Sequence, residues 1–70
     1  MDFEPINDSK HLRGAAWDPA LRELHIKFHT GDVYAFPVSK DMHQQLMNSD
    51  SRGEFFHRHI RHTKGRKVPQ

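Results

Sequence analysis

Between residues 23 and 36 the chain alternates apolar and polar side chains with a period of two. Leu24, Ile26 and Phe28 are interleaved with Glu23, His25, Lys27 and His29. After Thr30-Gly31 a second alternation, Asp32-Val33-Tyr34-Ala35-Phe36, runs up to Pro37. Two half-buried strands around a glycine-containing turn predict a β-hairpin. A two-residue loop at Thr30-Gly31 would pair Phe28 with Val33 and Ile26 with Ala35, and would put Tyr34 and Phe36 on the opposite face. A three-residue loop, His29 to Gly31, pairs Ile26 with Tyr34 and Leu24 with Phe36. The second register is preferred. It puts Gly31 where a left-handed residue is needed and gathers the large apolar groups on one side. His25, Lys27 and His29 are then expected to face solvent.

Upstream, Lys10 to Trp17 predicts a first strand, with Gly14 marking a bulge and Asp18-Pro19 a turn. Residues 1–8 read as a flexible leader in which only Phe3 and Ile6 offer apolar anchors. Downstream, Ser39 is a suitable N-cap and Asp41 suits the first turn of a helix. Met42, Leu46 and Met47 form its apolar stripe, and Asn48-Ser49-Asp50 ends it. Ser51-Arg52-Gly53-Glu54 matches a capping box that opens a second helix, on which Phe56 and Ile60 share a face. The expected fold is α+β: a three-stranded antiparallel β-meander followed by two short α-helices packed on one face. Residues 9–61 make the domain, and 62–70 a basic C-terminal tail.

With 70 residues and no cysteine, the chain holds one small core and no disulfide or thiolate metal site. No apolar run is long enough to cross a bilayer, and Met1-Asp2-Phe3-Glu4-Pro5 does not resemble a signal peptide. A cytoplasmic monomer is expected. Charge changes the picture more. Residues 1–50 carry five Lys/Arg and eight Asp/Glu, whereas residues 51–70 carry six Lys/Arg and only Glu54. That split suggests a basic, partner-facing end; the alternative is a solvated, frayed terminus.

The order of these features resembles the KTSC domain family, named from its occurrence at the C-terminus of some lysyl-tRNA synthetases. The matching residues span Ser9 to Arg61. They are Trp17-Asp18-Pro19, Leu24-x-Ile26-x-Phe28, Gly31-Asp32-Val33-Tyr34-Ala35-Phe36, Val38, Leu46, Ser51-Arg52-Gly53-Glu54-Phe55-Phe56 and Ile60-Arg61. The family's Y-x-Y motif reads Tyr34-Ala35-Phe36 here, and its S-x-G-x-[YF]-F segment is intact. His57 stands where an Asn often follows, and the usual Val-Pro appears as Pro37-Val38. The family also occurs as free-standing small proteins, and the resemblance implies a domain for which RNA binding has been suggested. It brings no catalytic residues.

Candidate chemistry concentrates in Arg52, Arg58, Arg61, Lys64, Arg66 and Lys67. Such cations neutralise phosphates and release counterions; the bland reading is a solvated helix face with a loose tail. Trp17, Tyr34 and Phe36 either stack on unpaired bases or serve as core, with Phe36 the most core-like. His57-x-His59-x-x-His62 is an unsuitable metal set, because helical positions 57 and 59 point about 200° apart. No phosphate loop or recognisable nucleophile motif supports catalysis. A non-catalytic module binding RNA or another nucleic acid, without cofactor or metal, is the expectation. Tyr34 and Trp17 would supply stacking, and the six C-terminal cations phosphate contacts. The alternative is a small regulator, possibly phage-encoded, that docks on a larger protein machine such as a polymerase.

Overall fold

A computed structural model describes residues 2–69. The chain runs β1 (Glu4–Pro5), β2 (Leu12–Asp18), β3 (Glu23–Phe28), β4 (Val33–Phe36), α1 (Lys40–Asn48), α2 (Arg52–His59) and β5 (Arg66–Lys67). The strands form one antiparallel sheet in the order β1-β2-β3-β4-β5. It is a meander in which both helices are inserted before the last strand.

The β3–β4 hairpin adopts the three-residue loop. Leu24 pairs with Phe36 and Ile26 with Tyr34. The Phe28 amide donates to the Asp32 carbonyl at 2.9 Å, and Gly31 takes a φ of 94°. One sheet face therefore carries Leu12, Ala15, Leu24, Ile26 and Phe36, which close a core with Leu46 of α1 and Phe56 and Ile60. The register of β2 shifts between Leu12 and Gly14, so the expected bulge is present. Asp18 ends β2 by accepting the amides of Ala20 and Leu21 at 2.9 and 3.2 Å, as a short carboxylate at a turn is suited to do.

Both helices form, and only the second departs from the sequence reading at its cap. Ser39 caps α1 by accepting the Met42 amide at 3.2 Å. The Ser51 hydroxyl makes no capping bond to α2. The Ser51 amide instead donates to Ser49 Oγ, and Glu54 turns along the helix to Arg58 at 2.8 Å. Gly53 lies close to the segment entering β2: a Cβ there would sit 2.9 Å from Ser9 Oγ, so a larger residue would have to displace the Ser9 hydroxyl.

The larger difference is at the ends. The sequence places residues 1–8 and 62–70 outside the sheet as leader and tail, but their described parts supply its edge strands. Met1 and Gln70 lie outside the described residues. Glu4 and Pro5 pair with Ala15 and Gly14, and Ile6 is buried to 3% exposure in the core. Arg66 and Lys67 pair with Ala35 and Tyr34, and the Val68 amide donates to the Val33 carbonyl at 2.8 Å. Two-residue strands have no periodicity to read; they are recruited by the unpaired edges of a three-stranded core. The second sheet face is also partly covered, since Ala16, Val33 and Ala35 on it are buried. His25, expected in solvent, is 7% exposed, with Nε2 lying 3.7 Å from Glu23 and 4.0 Å from Asp18.

Candidate nucleic-acid interface

The six C-terminal cations do not form one face. Arg52 is a structural arginine: its Nε and Nη2 donate to the Met47 carbonyl at 3.2 and 2.9 Å, and its Nη1 to Asp8 at 3.2 Å. Partial desolvation raises the Asp8 carboxyl. The hydrogen bonds from the Arg52 side chain and amide, that from Asp8's own amide, and the guanidinium charge outweigh it and hold Asp8 below its ordinary value. Arg66 grips Glu23 through Nη2 at 2.8 Å and Nε at 3.3 Å. Lys67 lies 3.5 Å from Asp32, and Arg58 pairs with Glu54 on an exposed strip of α2. Four of the six are thus paired, three of them with carboxylates from the acidic leading half. Arg61 and Lys64 make no ion pair with a carboxylate among the described residues. Arg61 Nη1 instead donates to His57 Nδ1 at 2.8 Å.

The two aromatic candidates separate as well. Trp17 pairs with Leu24 at the end of the sheet remote from Phe28 and packs against the core. Tyr34 packs edge-to-face on Phe28, with centroids 5.6 Å apart, and Phe28 packs edge-to-face on Phe56 at 5.7 Å. Phe36, against Phe56 at 5.3 Å, is buried as expected.

Around this ring cluster three hollows meet at Phe28. One of about 500 Å³ lies between β2 and α2 and is lined by Phe28, Phe56, His11, His57, Gly53 and Arg61 among others. A second of about 270 Å³ is bounded by Tyr34, Phe56, Arg61 and Thr63. A third of about 230 Å³ lies between Phe28, Tyr34, Lys10, His11 and His29. The first two are lined by no carboxylate. The third meets Asp32, which is engaged by Lys67 and by the Thr30 hydroxyl. The groove thus offers aromatic edges and faces with cationic or imidazole groups at its rim. A flat ring can lie against Phe28 while an anion reaches Arg61. Among the described residues no three His, Asp or Glu side chains converge in a metal-holding arrangement.

Phe28, Phe56, Lys10 and His11 were missed by sequence reasoning. Phe28 and Phe56 look like ordinary core residues, and only their position at the open end of the sheet distinguishes them. Lys10 and His11 lie in the acidic leading half, where the net charge hides them.

The comparisons agree with the fold. The KTSC domain model matches residues 8–63. The crystal structure of a KTSC domain protein from Yersinia pestis superposes with a TM-score of 0.85 at 28% sequence identity, covering 97% of each chain. None of the curated proteins matches. The superposition extends beyond the matched segment. With four fifths of the chain inside the matched segment, this chain belongs to the KTSC domain family.

Proposed function

We propose that this domain is a non-catalytic nucleic-acid-binding module that takes RNA in the Phe28 groove. Tyr34 and Phe28, both only partly buried, present rings to bases, with Phe56 as the buried floor beneath them; Arg61 and Lys10 reach phosphates. The observation that supports this most is the segregation of charge in space. The groove carries Arg61, His57, His11 and Lys10, while the one carboxylate that lines it among the described residues, Asp32, is engaged by Lys67. Stacking is worth about 1–3 kcal/mol per base and tolerates sequence, and phosphate contacts add a salt-dependent term. No helix of the described residues is long and apolar enough to cross a membrane, and the reading fits a cytoplasmic protein working beside RNA.

A protein-docking regulator is less well supported. Its charge-complementary ends are partly neutralised within the fold, since Arg52, Arg66 and Lys67 pair with Asp8, Glu23 and Asp32, and the one large exposed hydrophobic among the described residues, Leu21, is an ordinary isolated side chain.

The test is filter binding to tRNA, single-stranded RNA and duplex DNA across a salt series. Retention at low salt that falls linearly with the logarithm of salt concentration is expected. No retention of any of the three at low salt would remove the reading.

A further inference from the structure

A fourth hollow, of about 410 Å³, lies on the other side of the sheet, around the Gly14 bulge. Side chains alternate across a strand. Lys27 therefore projects away from the face that carries Ile26 and Phe28, and its Nζ sits 5.8 Å from the centroid of the Phe3 ring. Arg13 lines the same hollow from within the bulge, and no carboxylate lines it. Neither Arg13 nor Lys27 makes an ion pair among the described residues.

This hollow adjoins the groove across a shared rim. Ser9 lines both it and the β2–α2 hollow, and His29 lines both it and the hairpin hollow. The rim between them is pinned, since His29 Nε2 and the Ser9 carbonyl are 3.1 Å apart. The result is a belt that begins at Arg61, passes Phe28 and His11, crosses Ser9 and His29, and ends at Arg13 and Lys27. It turns from one face of the sheet to the other around its end.

Resting on the RNA-binding reading above, we propose that the strand held in the groove is unpaired, and that it continues over the Ser9–His29 rim to place phosphates on Arg13 and Lys27. The shape of the belt excludes a double helix. The longest dimension of the domain is 28 Å, and a duplex with a persistence length of about 50 nm is straight over that distance. A single strand bends freely and can follow cations around an edge. The belt also has the composition a single strand needs, with rings for bases at its start and cations for the backbone along its length.

The test compares oligouridylates of about three and about ten nucleotides, lengths that fall short of and exceed a small single-strand site, with an RNA duplex of the longer length. The proteins are the native chain, the double variant Arg13→Gln/Lys27→Gln, and Arg22→Gln as a control at the opposite end of the sheet. Circular dichroism checks that each is folded. The native chain should prefer the long oligomer to both the short one and the duplex. The double variant should lose about tenfold for the long oligomer, keep its affinity for the short one, and show a salt slope lower by about 1.4 if it gives up two phosphates. Arg22→Gln should match native. Equal binding of both oligomers by native and double variant would overturn the extended path, and duplex binding as tight as the long single strand would overturn the unpaired ligand. Absence of binding to any oligomer by the native chain would instead sink the groove reading, and this proposal with it.

Discussion

Arg52, the first residue of α2, reaches back over the junction between the helices and donates two hydrogen bonds to the carbonyl oxygen of Met47, near the end of α1. Helix ends leave carbonyls without partners, and a guanidinium fork is well shaped to satisfy one from two nitrogens. Its third nitrogen then holds Asp8, so one side chain ties the entry to β2, the end of α1 and the start of α2 together.

Arg52→Ala should therefore destabilise the domain by about 1–3 kcal/mol, the scale of a charge-assisted hydrogen bond lost from a partly buried site. Arg52→Lys should recover only part of this, since an ammonium cannot reproduce the fork. Denaturant unfolding measures both. The RNA affinity of the folded variant should change little; a large affinity loss with unchanged stability would make Arg52 a phosphate contact instead.

The same tie sets an acid sensitivity. The carboxyl of Asp8 is lowered in the folded state, so its contribution to stability is complete above the ordinary carboxylate range, near pH 4. It is lost as pH falls through the lower folded value. Denaturant midpoints of native and Asp8→Asn proteins should differ by a constant amount above about pH 5 and converge in stronger acid. A difference that grows on acidification would contradict the assignment.

Two glycines should resist substitution for different reasons. A Cβ on Gly65 would meet Phe36 Cε1 at 2.4 Å and Cδ1 at 2.7 Å, and that ring is itself wedged against Phe56. Gly65→Ala should cost about 1–3 kcal/mol as overpacking and should release β5, seen as faster hydrogen exchange at the Val68 amide. Gly31 has open space around it but a φ of 94°, so Gly31→Ala should cost about 1–2 kcal/mol through backbone strain alone and leave Val68 protected.

Phe28 links the core to the groove. Phe28→Leu keeps an apolar side chain but removes the ring that touches Tyr34 and Phe56. It should weaken single-stranded RNA binding by about 1–3 kcal/mol while leaving the salt slope as it is, because no phosphate contact is lost. Fluorescence anisotropy at several salt concentrations separates the two effects.

How much of this was readable in the sequence follows from the range of each interaction. The hairpin register was legible because Gly31, three residues after Phe28, and the alternation of Leu24, Ile26, Tyr34 and Phe36 demand the same loop. The Ser39 cap and the Phe56–Ile60 face are equally local. The capping box at Ser51 was misleading, since Ser49 Oγ takes the Ser51 amide and Arg58 takes the Glu54 carboxylate that would have accepted it. Edge strands β1 and β5 were not legible, being two residues long and defined only by the strands they join. The site was the least legible part. Sequence counts six cations after residue 50, but Asp8, Glu23 and Asp32 reach three of them only in the folded chain. Arg61 and Tyr34 come together with Phe28, Lys10 and His11 through tertiary packing, which no spacing encodes.

The most direct measurement sets Arg61 against Arg58, two arginines on the same helix. Arg61 lines the groove, whereas Arg58 is 68% exposed and paired with Glu54. The salt dependence of single-stranded RNA binding should be compared for native, Arg61→Ala and Arg58→Ala proteins. The groove requires a slope reduced by about 0.7 for Arg61→Ala, one phosphate on a single strand, with Arg58→Ala indistinguishable from native. Equal reductions for both variants would mean that the ligand follows the general charge of the C-terminal segment and not the groove.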